Sequence, residues 1–414
     1  MKKSACLATV IAAALLSATV AFANAADEAR LLLALPKVFA RADRQYRMLT
    51  ALAEAESAKA GAWRLPKTFE NGELRFSDVY WWTSGFVPGS LWYLYEATGD
   101  GLWREKATLF TEKQEPVTEV TDNHDIGFML YCSVGNALRV TGDRAKWGWM
   151  LERGAKNLAS RFQPDLGLIQ SWDPVDMNGH RTHRAVIIDN MMNLELLAWA
   201  ARYAGNAKAG EIAISHAKTT SARHFRPDGS VYHIVDYWND STNICAYLAG
   251  QGANAAGTWS RGQGWAIYGF TAMARETGDR EILDRAVKSA DWWLAAANTP
   301  ADLIPYWDFQ APKIPDEERD TSAASLVASG LLELSKLIAA DDPSRAAAYR
   351  ERAVRMLIAL SSDAYLAAEG SNGGFILMHA TGNKTCGGEI DVPLTYADYY
   401  FLEALLRFKN LHAE

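Results

Sequence analysis

Two aspartates lie in polar segments at the starts of predicted helices, where their carboxylates could carry out acid–base chemistry. Asp125 lies in the segment HDIGF at 124–128, and Asp189 lies in IDNMMN at 188–193. Each precedes an apolar helical run, so either carboxylate could simply cap its helix by accepting a backbone hydrogen bond. Two carboxylates in one apolar, aromatic-lined pocket are instead the arrangement that enzymes use for acid–base reactions on sugars.

A third polar segment, TWSRGQGWAIYGF at 258–270, opens another helical run. Arg261 supplies a planar cation that can bind a carboxylate through two hydrogen bonds. Free backbone N–H groups at helix starts also favour an anionic ligand. Because His124, Arg261 and Gln263 accompany the two aspartates at equivalent helix starts, we interpret Asp125 and Asp189 as catalytic rather than as caps. We expect His124, Arg261 and Gln263 to bind the substrate.

A repeated joint indicates how these helices are connected. Apolar runs end at glycine followed by Asp or Asn, at 99–100, 142–143, 205–206 and 278–279. Glycine tolerates the left-handed conformation that ends a helix, and the following Asp or Asn can cap the next helix. Each joint therefore predicts a tight helix–turn–helix.

Small, apolar helices alternate along the chain with amphipathic, charged ones. The alternation predicts an all-α (α/α)6 toroid with parallel inner helices, and a less regular all-α bundle is the alternative. The inner helices are predicted at 91–98, 126–141, 191–204, 265–277, 325–339 and 394–408. The outer helices are predicted at 28–57, 102–113, 145–161, 208–225, 281–297 and 344–360. The polar segments would then share one mouth of a single domain, residues 26–414.

Composition and motifs exclude several classes of function. The 414 residues carry a formal net charge of −7 without a basic tract, so no nucleic-acid partner is expected. There is no CxxC pair, no phosphate-binding loop and no complete dinucleotide fingerprint. His180 and His183 have HxxH spacing but lie in a polar segment without an apparent third ligand. We therefore expect no metal and no cofactor, and composition leaves the oligomeric state open.

The first residues have the pattern of a secretory signal peptide. Lys2 and Lys3 precede an apolar stretch at 7–21, and two A-x-A cleavage sites end at Ala23 and Ala25. The apolar stretch is short for a membrane span. We expect residues 1–25 to be removed and the mature protein to be periplasmic or secreted, without membrane attachment.

Four segments together resemble the unsaturated glucuronyl hydrolases, family 88 of the glycoside hydrolases. They are HDIGF at 124–128, IDNMMNLELL at 188–197, TWSRGQGWAIYGF at 258–270 and EIDVPLTYADYYFLEALLR at 389–407. The resemblance implies an (α/α)6 toroid. It also implies release of a 4,5-unsaturated uronic acid from lyase-generated oligosaccharides, by hydration of the C4=C5 bond.

The resemblance also implies roles for individual residues. Asp189 matches the general acid and base, and Asp125 matches the second essential carboxylate, which holds the sugar hydroxyls. Residues 370–388, which include Lys384, are expected to border the next sugar subsite. The residues that match substrate-contacting positions are His233, Gln251, Trp259, Arg261 and the stacking Trp82.

Three alternatives remain open at this point. The unsaturated rhamnogalacturonyl hydrolases share the toroid and a similar RG-containing segment, but match HDIGF and the C-terminal segment less well. An inverting glycosidase would also use two carboxylates. A non-catalytic sugar-binding protein is the third, although such proteins usually have two α/β lobes and this sequence lacks βαβ patterning.

Overall fold

The computed structural model describes residues 2–177 and 179–412, with side chains from residue 24 onward. The described residues form thirteen α-helices and nine short strands. The helices are α1 (Lys2–Ala60), α2 (Phe86–Thr98), α3 (Gly101–Glu112), α4 (Ile126–Leu130), α5 (Asn136–Thr141), α6 (Arg144–Ser160), α7 (Leu194–Tyr203), α8 (Ala207–Arg223), α9 (Ser260–Thr277), α10 (Arg280–Ala295), α11 (Thr321–Ile338), α12 (Pro343–Leu360) and α13 (Thr395–Leu411). The strands are β1 (Leu65–Glu70), β2 (Glu73–Ser77), β3 (Phe162–Gln163), β4 (Leu168–Ile169), β5 (Asp176–Met177), β6 (His180–Arg181), β7 (Val186–Ile187), β8 (Ile234–Tyr237) and β9 (Ile244–Leu248).

The helices form the predicted (α/α)6 toroid, which is confirmed. The inner ring consists of α2, α4–α5, α7, α9, α11 and α13, and the outer ring of α1, α3, α6, α8, α10 and α12. The last inner helix, α13, packs against both α11 and α2 and so closes the ring. In α9, every residue from Ser260 to Ala274 is buried, as expected for a helix enclosed by others.

The glycine joints have the predicted geometry. The φ angles of Gly99, Gly142, Gly205 and Gly278 lie between 66° and 72°, in the left-handed region. The residue after each glycine caps the next helix through its side chain, as Asp143 does by accepting from the Lys146 backbone N–H. Asp100, Asn206 and Asp279 do the same for α3, α8 and α10. These local signals therefore fix the reversal of direction between inner and outer helices.

The structure differs from the predictions in the segments that enter the inner helices. The stretches at 163–187 and 226–258, predicted as loops, contain short antiparallel strands. In particular, β8 pairs with both β7 and β9, with Val235 opposite Val186 and Tyr247. Helix α9 begins at Ser260 rather than at residue 265, and a π-helical segment, Tyr131–Gly135, separates α4 from α5.

Among the described residues, no helix is both long and apolar enough to cross a membrane. The predicted signal peptide falls on Met1, which is outside the described residues, and on the first part of α1, where side chains are described only from residue 24. Its removal stays a prediction.

Candidate active site

The three-stranded sheet brings Asp189 beside His233. Strand β7 runs directly into a 3-10 helix, Ile188–Asn193, and the Ile188 N–H donates to the His233 carbonyl at 3.0 Å. The His233 Nε2 atom consequently lies 3.5 Å from the Asp189 Oδ1 atom. That oxygen is buried and accepts no hydrogen bond from any described residue. Asp189 therefore does not cap its helix, and its carboxylate faces the site with an unused acceptor.

Asp125 is held next to Asp189 by a close approach between two helix starts. The Phe128 N–H at the start of α4 donates to Asn193 Oδ1 at 2.7 Å. Gly127 permits this contact, because a Cβ atom there would lie 2.5 Å from the Asn193 Cα atom. Asp125 occupies the N-cap position of α4 but makes no side-chain capping bond. Both predicted catalytic carboxylates are thus free of the capping role that was the alternative.

Burial and mutual repulsion keep a proton in this pocket. Burial, followed by the negative charge of Asp189, raises the pKa of Asp125 to about 8, against an opposing effect of Arg161. Burial lowers the pKa of His124 to about 4, so its ring is neutral at pH 7. The His124 Nε2 atom lies 3.5 Å from Asp125 Oδ1. Asp125 therefore remains protonated at neutral pH.

The raised pKa predicts that Asp125→Asn stabilises the fold, and more so at higher pH. In the unfolded chain this carboxyl ionises near pH 4, whereas in the folded chain it ionises near pH 8. Between these values the unfolded state binds fewer protons, so the wild type loses stability as pH rises, and the asparagine variant does not. In urea unfolding, the free energy of unfolding of Asp125→Asn should exceed that of the wild type by about 1–2 kcal/mol at pH 8 and by much less at pH 4.5. An equal gain at both pH values would contradict the assigned shift.

Aromatic and cationic groups form one wall of the site. The centre of the Trp259 ring lies 4.2 Å from the His233 ring and 4.4 Å from the Arg261 guanidinium. The same guanidinium is 5.2 Å from Tyr396, whose ring is 5.0 Å from Trp82. The tryptophan that the structure places at the site is therefore Trp82. The neighbouring Trp81 is 42% exposed and lies outside this wall, under Lys67.

Protein groups hold part of the Arg261 guanidinium, and its contact with a substrate carboxylate stays a prediction. Arg261 is fully buried and donates from Nη1 to Asp320 Oδ2 at 2.9 Å. It also donates to the carbonyls of Thr381 and Gly382, each at 2.7 Å. Nε has no partner among the described residues, and the bond to Gly382 uses one of the two N–H groups of Nη2. Arg261 thus ties α9 to the segment before α13.

Arg261→Ala is accordingly expected to destabilise the fold rather than only to weaken substrate binding. Removing one partner of a buried ion pair leaves the other charge uncompensated and typically costs about 3–5 kcal/mol. Denaturant unfolding of Arg261→Ala measures this loss, with Arg75→Ala as the control, because Arg75 pairs with Glu73 on the exposed surface. If Arg261→Ala is as stable as Arg75→Ala and only its KM is raised, the result supports a direct contact between Arg261 and the substrate.

The two predicted glutamines have different positions. Gln251 is half-buried beside the site, where its backbone N–H donates to His233 Nδ1 at 3.1 Å and its side chain donates to the Gly382 carbonyl at 3.0 Å. Gln263 is fully buried, and its amide bonds to the three residues Val231, Gly229 and Ser289. The structure therefore does not support the predicted sugar contact of Gln263, because no atom of its amide is left to face a ligand.

The segment predicted to border the next subsite approaches the same edge. The Thr385 hydroxyl donates to the Gly250 carbonyl at 2.9 Å, next to Gln251. Lys384 forms an ion pair with Glu317 at 2.6 Å. The segment thus lies next to Gln251, and its role as the border of the next sugar subsite stays a prediction.

Two further polar residues lie at the site and were missed from the sequence. Tyr396 carries a buried hydroxyl, and Asn190 a buried amide oxygen, that have no partner among the described residues. Both lie inside segments singled out above, at 389–407 and 188–193. The motifs marked the segments, but helical periodicity alone does not tell which side chain of a first turn faces the mouth.

A separate cavity of about 640 Å³ lies at the opposite end of the toroid, among the C-terminal ends of the inner helices. Its charged residues pair with one another, as Arg275 does with Glu195 and Arg139 with Glu96. Neither predicted catalytic aspartate lines it. The predicted catalytic carboxyl groups lie instead at the mouth where the inner helices begin.

A helical toroid that opens on two uncapped carboxyl groups beside an aromatic wall defines a glycoside hydrolase. Known proteins of similar sequence and structure identify which kind. The chain is 42% identical over 330 residues to an unsaturated glucuronyl hydrolase of Formosa agariphila, covering 80% of each chain. It is 35% identical over 337 residues to the unsaturated glucuronyl hydrolase of Bacillus sp. strain GL1, covering 80% of this chain and 86% of the relative.

Its structure matches the crystal structure of an unsaturated glucuronyl hydrolase specific for heparin with a TM-score of 0.84. That match has 38% identity and covers 91% of this chain and 98% of the other. No family model matches the chain. The chain belongs to the unsaturated glucuronyl hydrolases, glycoside hydrolase family 88.

Proposed function

We propose that this enzyme releases the 4,5-unsaturated uronic acid from the non-reducing end of lyase-generated oligosaccharides by hydrating the C4=C5 bond. Membership of the family supports the reaction class. The observation that carries the proposal is the adjacent pair of carboxyl groups, Asp125 and Asp189, neither of which caps its helix. A reaction that begins with protonation of carbon requires a positioned acid–base group, and Asp189 is placed to be that group.

The reaction follows from the chemistry of the substrate. The C4=C5 double bond is a vinyl ether conjugated to a carboxylate. Protonation at C4 leaves an oxocarbenium-like centre at C5, and a water molecule that loses a proton adds its oxygen there. The resulting hemiketal opens and expels the rest of the sugar chain. The anomeric carbon is not attacked, so the step needs no enzymic nucleophile.

In this proposal Asp189 gives the proton to C4 and accepts one from the attacking water. The unused, buried Oδ1 atom of Asp189 and its neighbour His233 support that role. Asp125, protonated at neutral pH, donates a hydrogen bond to a sugar oxygen. The partly exposed Trp82 supplies a flat apolar surface on which a pyranose ring can stack, and the buried ring of Tyr396 packs against it.

A panel of lyase-generated unsaturated disaccharides tests the proposal. The panel should include glucuronyl disaccharides from different polysaccharides and an unsaturated rhamnogalacturonyl disaccharide. Each reaction is followed by loss of the ultraviolet absorbance of the conjugated alkene. We expect glucuronyl substrates to react and a saturated aryl glucuronide to remain intact. Cleavage of the saturated glucuronide alone would support an inverting glycosidase, and no reaction of any sugar would support a binding protein.

We also propose that the enzyme works outside the cytoplasm, after export and removal of residues 1–25. The charged start, apolar stretch and A-x-A sites support export. Fractionation of cells, with N-terminal sequencing of the mature protein, tests this. An uncleaved, cytoplasmic chain would contradict it.

A further inference from the structure

A second cluster of chemically active side chains lies away from the carboxyl pair. It consists of His180, His183, Asp236 and Cys245, called here the sheet-edge cluster. The two histidines come from β6 and the residues just after it, Asp236 from β8 and Cys245 from β9. Asp236 and Cys245 follow His183 by 53 and 62 residues, so the sequence alone does not connect them with the histidines. The pairing of the strands brings them into contact with His183.

The donor atoms of the sheet-edge cluster converge on one oxygen. The distances to Asp236 Oδ2 are 2.8 Å from His180 Nε2, 3.3 Å from His183 Nδ1 and 3.2 Å from Cys245 Sγ. All four donor atoms lie within 4.8 Å of one another. A tetrahedral zinc ion with bonds of about 2.0–2.3 Å holds its ligands about 3.3–3.7 Å apart. The cluster is therefore close to the size of a zinc site before any ion enters it.

Asp236 lies at the centre of the cluster. Asp236 Oδ2 has two lone pairs and three side-chain donors converging on it. The other oxygen, Oδ1, already accepts from the His183 backbone N–H at 3.0 Å, which orients the carboxylate. Asp236 is completely buried, yet among the described residues no lysine or arginine pairs with it. A divalent ion would supply the positive charge that this buried carboxylate lacks.

From this convergence we infer that His180, His183, Asp236 and Cys245 bind a structural zinc ion. The mixed N, O and S donor set suits zinc, and four protein ligands leave no open position for catalysis. The ion balances one carboxylate and one thiolate, so the filled site is electrically neutral. Binding displaces the thiol proton to solvent and involves no redox change.

The sheet-edge cluster lies at one end of the strands whose other ends carry the catalytic wall. His183 precedes β7, which runs into Asp189, and Asp236 lies in β8, which begins directly after His233. Cys245 lies in β9, the other neighbour of β8. A metal that joins β6, β8 and β9 would hold this small sheet in register. We therefore expect metal removal to loosen the sheet and lower thermal stability, independently of whether the proposed reaction is correct.

Cobalt titration of the chelator-treated, full-length enzyme tests the site without an activity assay. One equivalent of Co²⁺ should give the intense visible bands of tetrahedral cobalt and a near-ultraviolet thiolate-to-cobalt band. Zinc should displace the cobalt and raise the Tm. Cys245→Ser should lose the thiolate band and weaken binding by more than about ten-fold. Cys386→Ser is the matched control, because Cys386 is an exposed free cysteine outside the cluster.

The variant His180→Ala provides an independent test if Cys245→Ser does not fold, because His180 is partly exposed at the edge of the cluster. It should keep the thiolate band but bind cobalt more weakly. The inference fails if the wild type shows no saturable binding of cobalt or zinc. It also fails if Cys245→Ser and Cys386→Ser give the same cobalt spectrum as the wild type.

Discussion

Asp189→Asn is expected to lose nearly all turnover of an unsaturated disaccharide while keeping the folded toroid. The Oδ1 atom of Asp189 makes no hydrogen bond within the described protein, so the amide replaces it without breaking a structural contact. An amide can neither protonate C4 nor accept a proton from water. Loss of a positioned acid–base group typically costs about 10²–10⁴ in rate. The initial rate of alkene loss, with circular dichroism as the check on folding, measures the effect.

Asp122→Asn is the matched control for this substitution. Asp122 is an exposed aspartate that precedes the HDIGF segment, and its carboxylate contacts only the neighbouring Asn123 among the described hydrogen bonds. The control should retain the wild-type rate. If Asp189→Asn also keeps the wild-type kcat, Asp189 is not the acid–base group and the proposed mechanism loses its proton donor.

Asp125→Asn should be the second most damaging substitution, with a loss of turnover of about 10² or more. The amide can still donate a hydrogen bond, but it does not reproduce the geometry and charge of the carboxyl group beside Asp189. The same variant is expected to be more stable than the wild type at pH 8, so lost activity cannot be attributed to unfolding. Steady-state kinetics and urea unfolding of one preparation give the turnover and the free energy of unfolding. A wild-type kcat/KM in this variant would show that Asp125 takes no part in the reaction.

The sequence was sufficient to predict the architecture because the signals for it are local. Four glycines end helices by their own conformational freedom, and the next residue caps the following helix, as Asp100 does after Gly99. Because apolar and amphipathic helices alternate along the chain, few arrangements can bury all the apolar helices. The proximity of Asp125 and Asp189 could be predicted for the same reason, because parallel inner helices bring their starts together.

The contacts that were missed depend on side-chain direction or on distant segments. Gln263 and Arg261 stand in a polar segment at a helix start, yet both amide and guanidinium turn inward to protein partners. Tyr396 faces the site from the last inner helix. The two histidines of the sheet-edge cluster gain Asp236 and Cys245 only through the pairing of β8 with β9. Periodicity within one segment carries no information about such partners.

Reaction in heavy water tests the central proposal most directly, because hydration and glycosidic hydrolysis place solvent atoms on different carbons. If Asp189 delivers a solvent-exchanged proton to C4, the released 4-deoxy-5-keto uronic acid carries deuterium at C4, on one face only. A parallel reaction in oxygen-labelled water should place the label at C5. NMR of the early product, before the keto acid exchanges protons, reads the deuterium, and mass spectrometry of its fragments locates the oxygen. Absence of deuterium at C4, with solvent oxygen found only at C1, would contradict hydration and establish attack at the anomeric carbon.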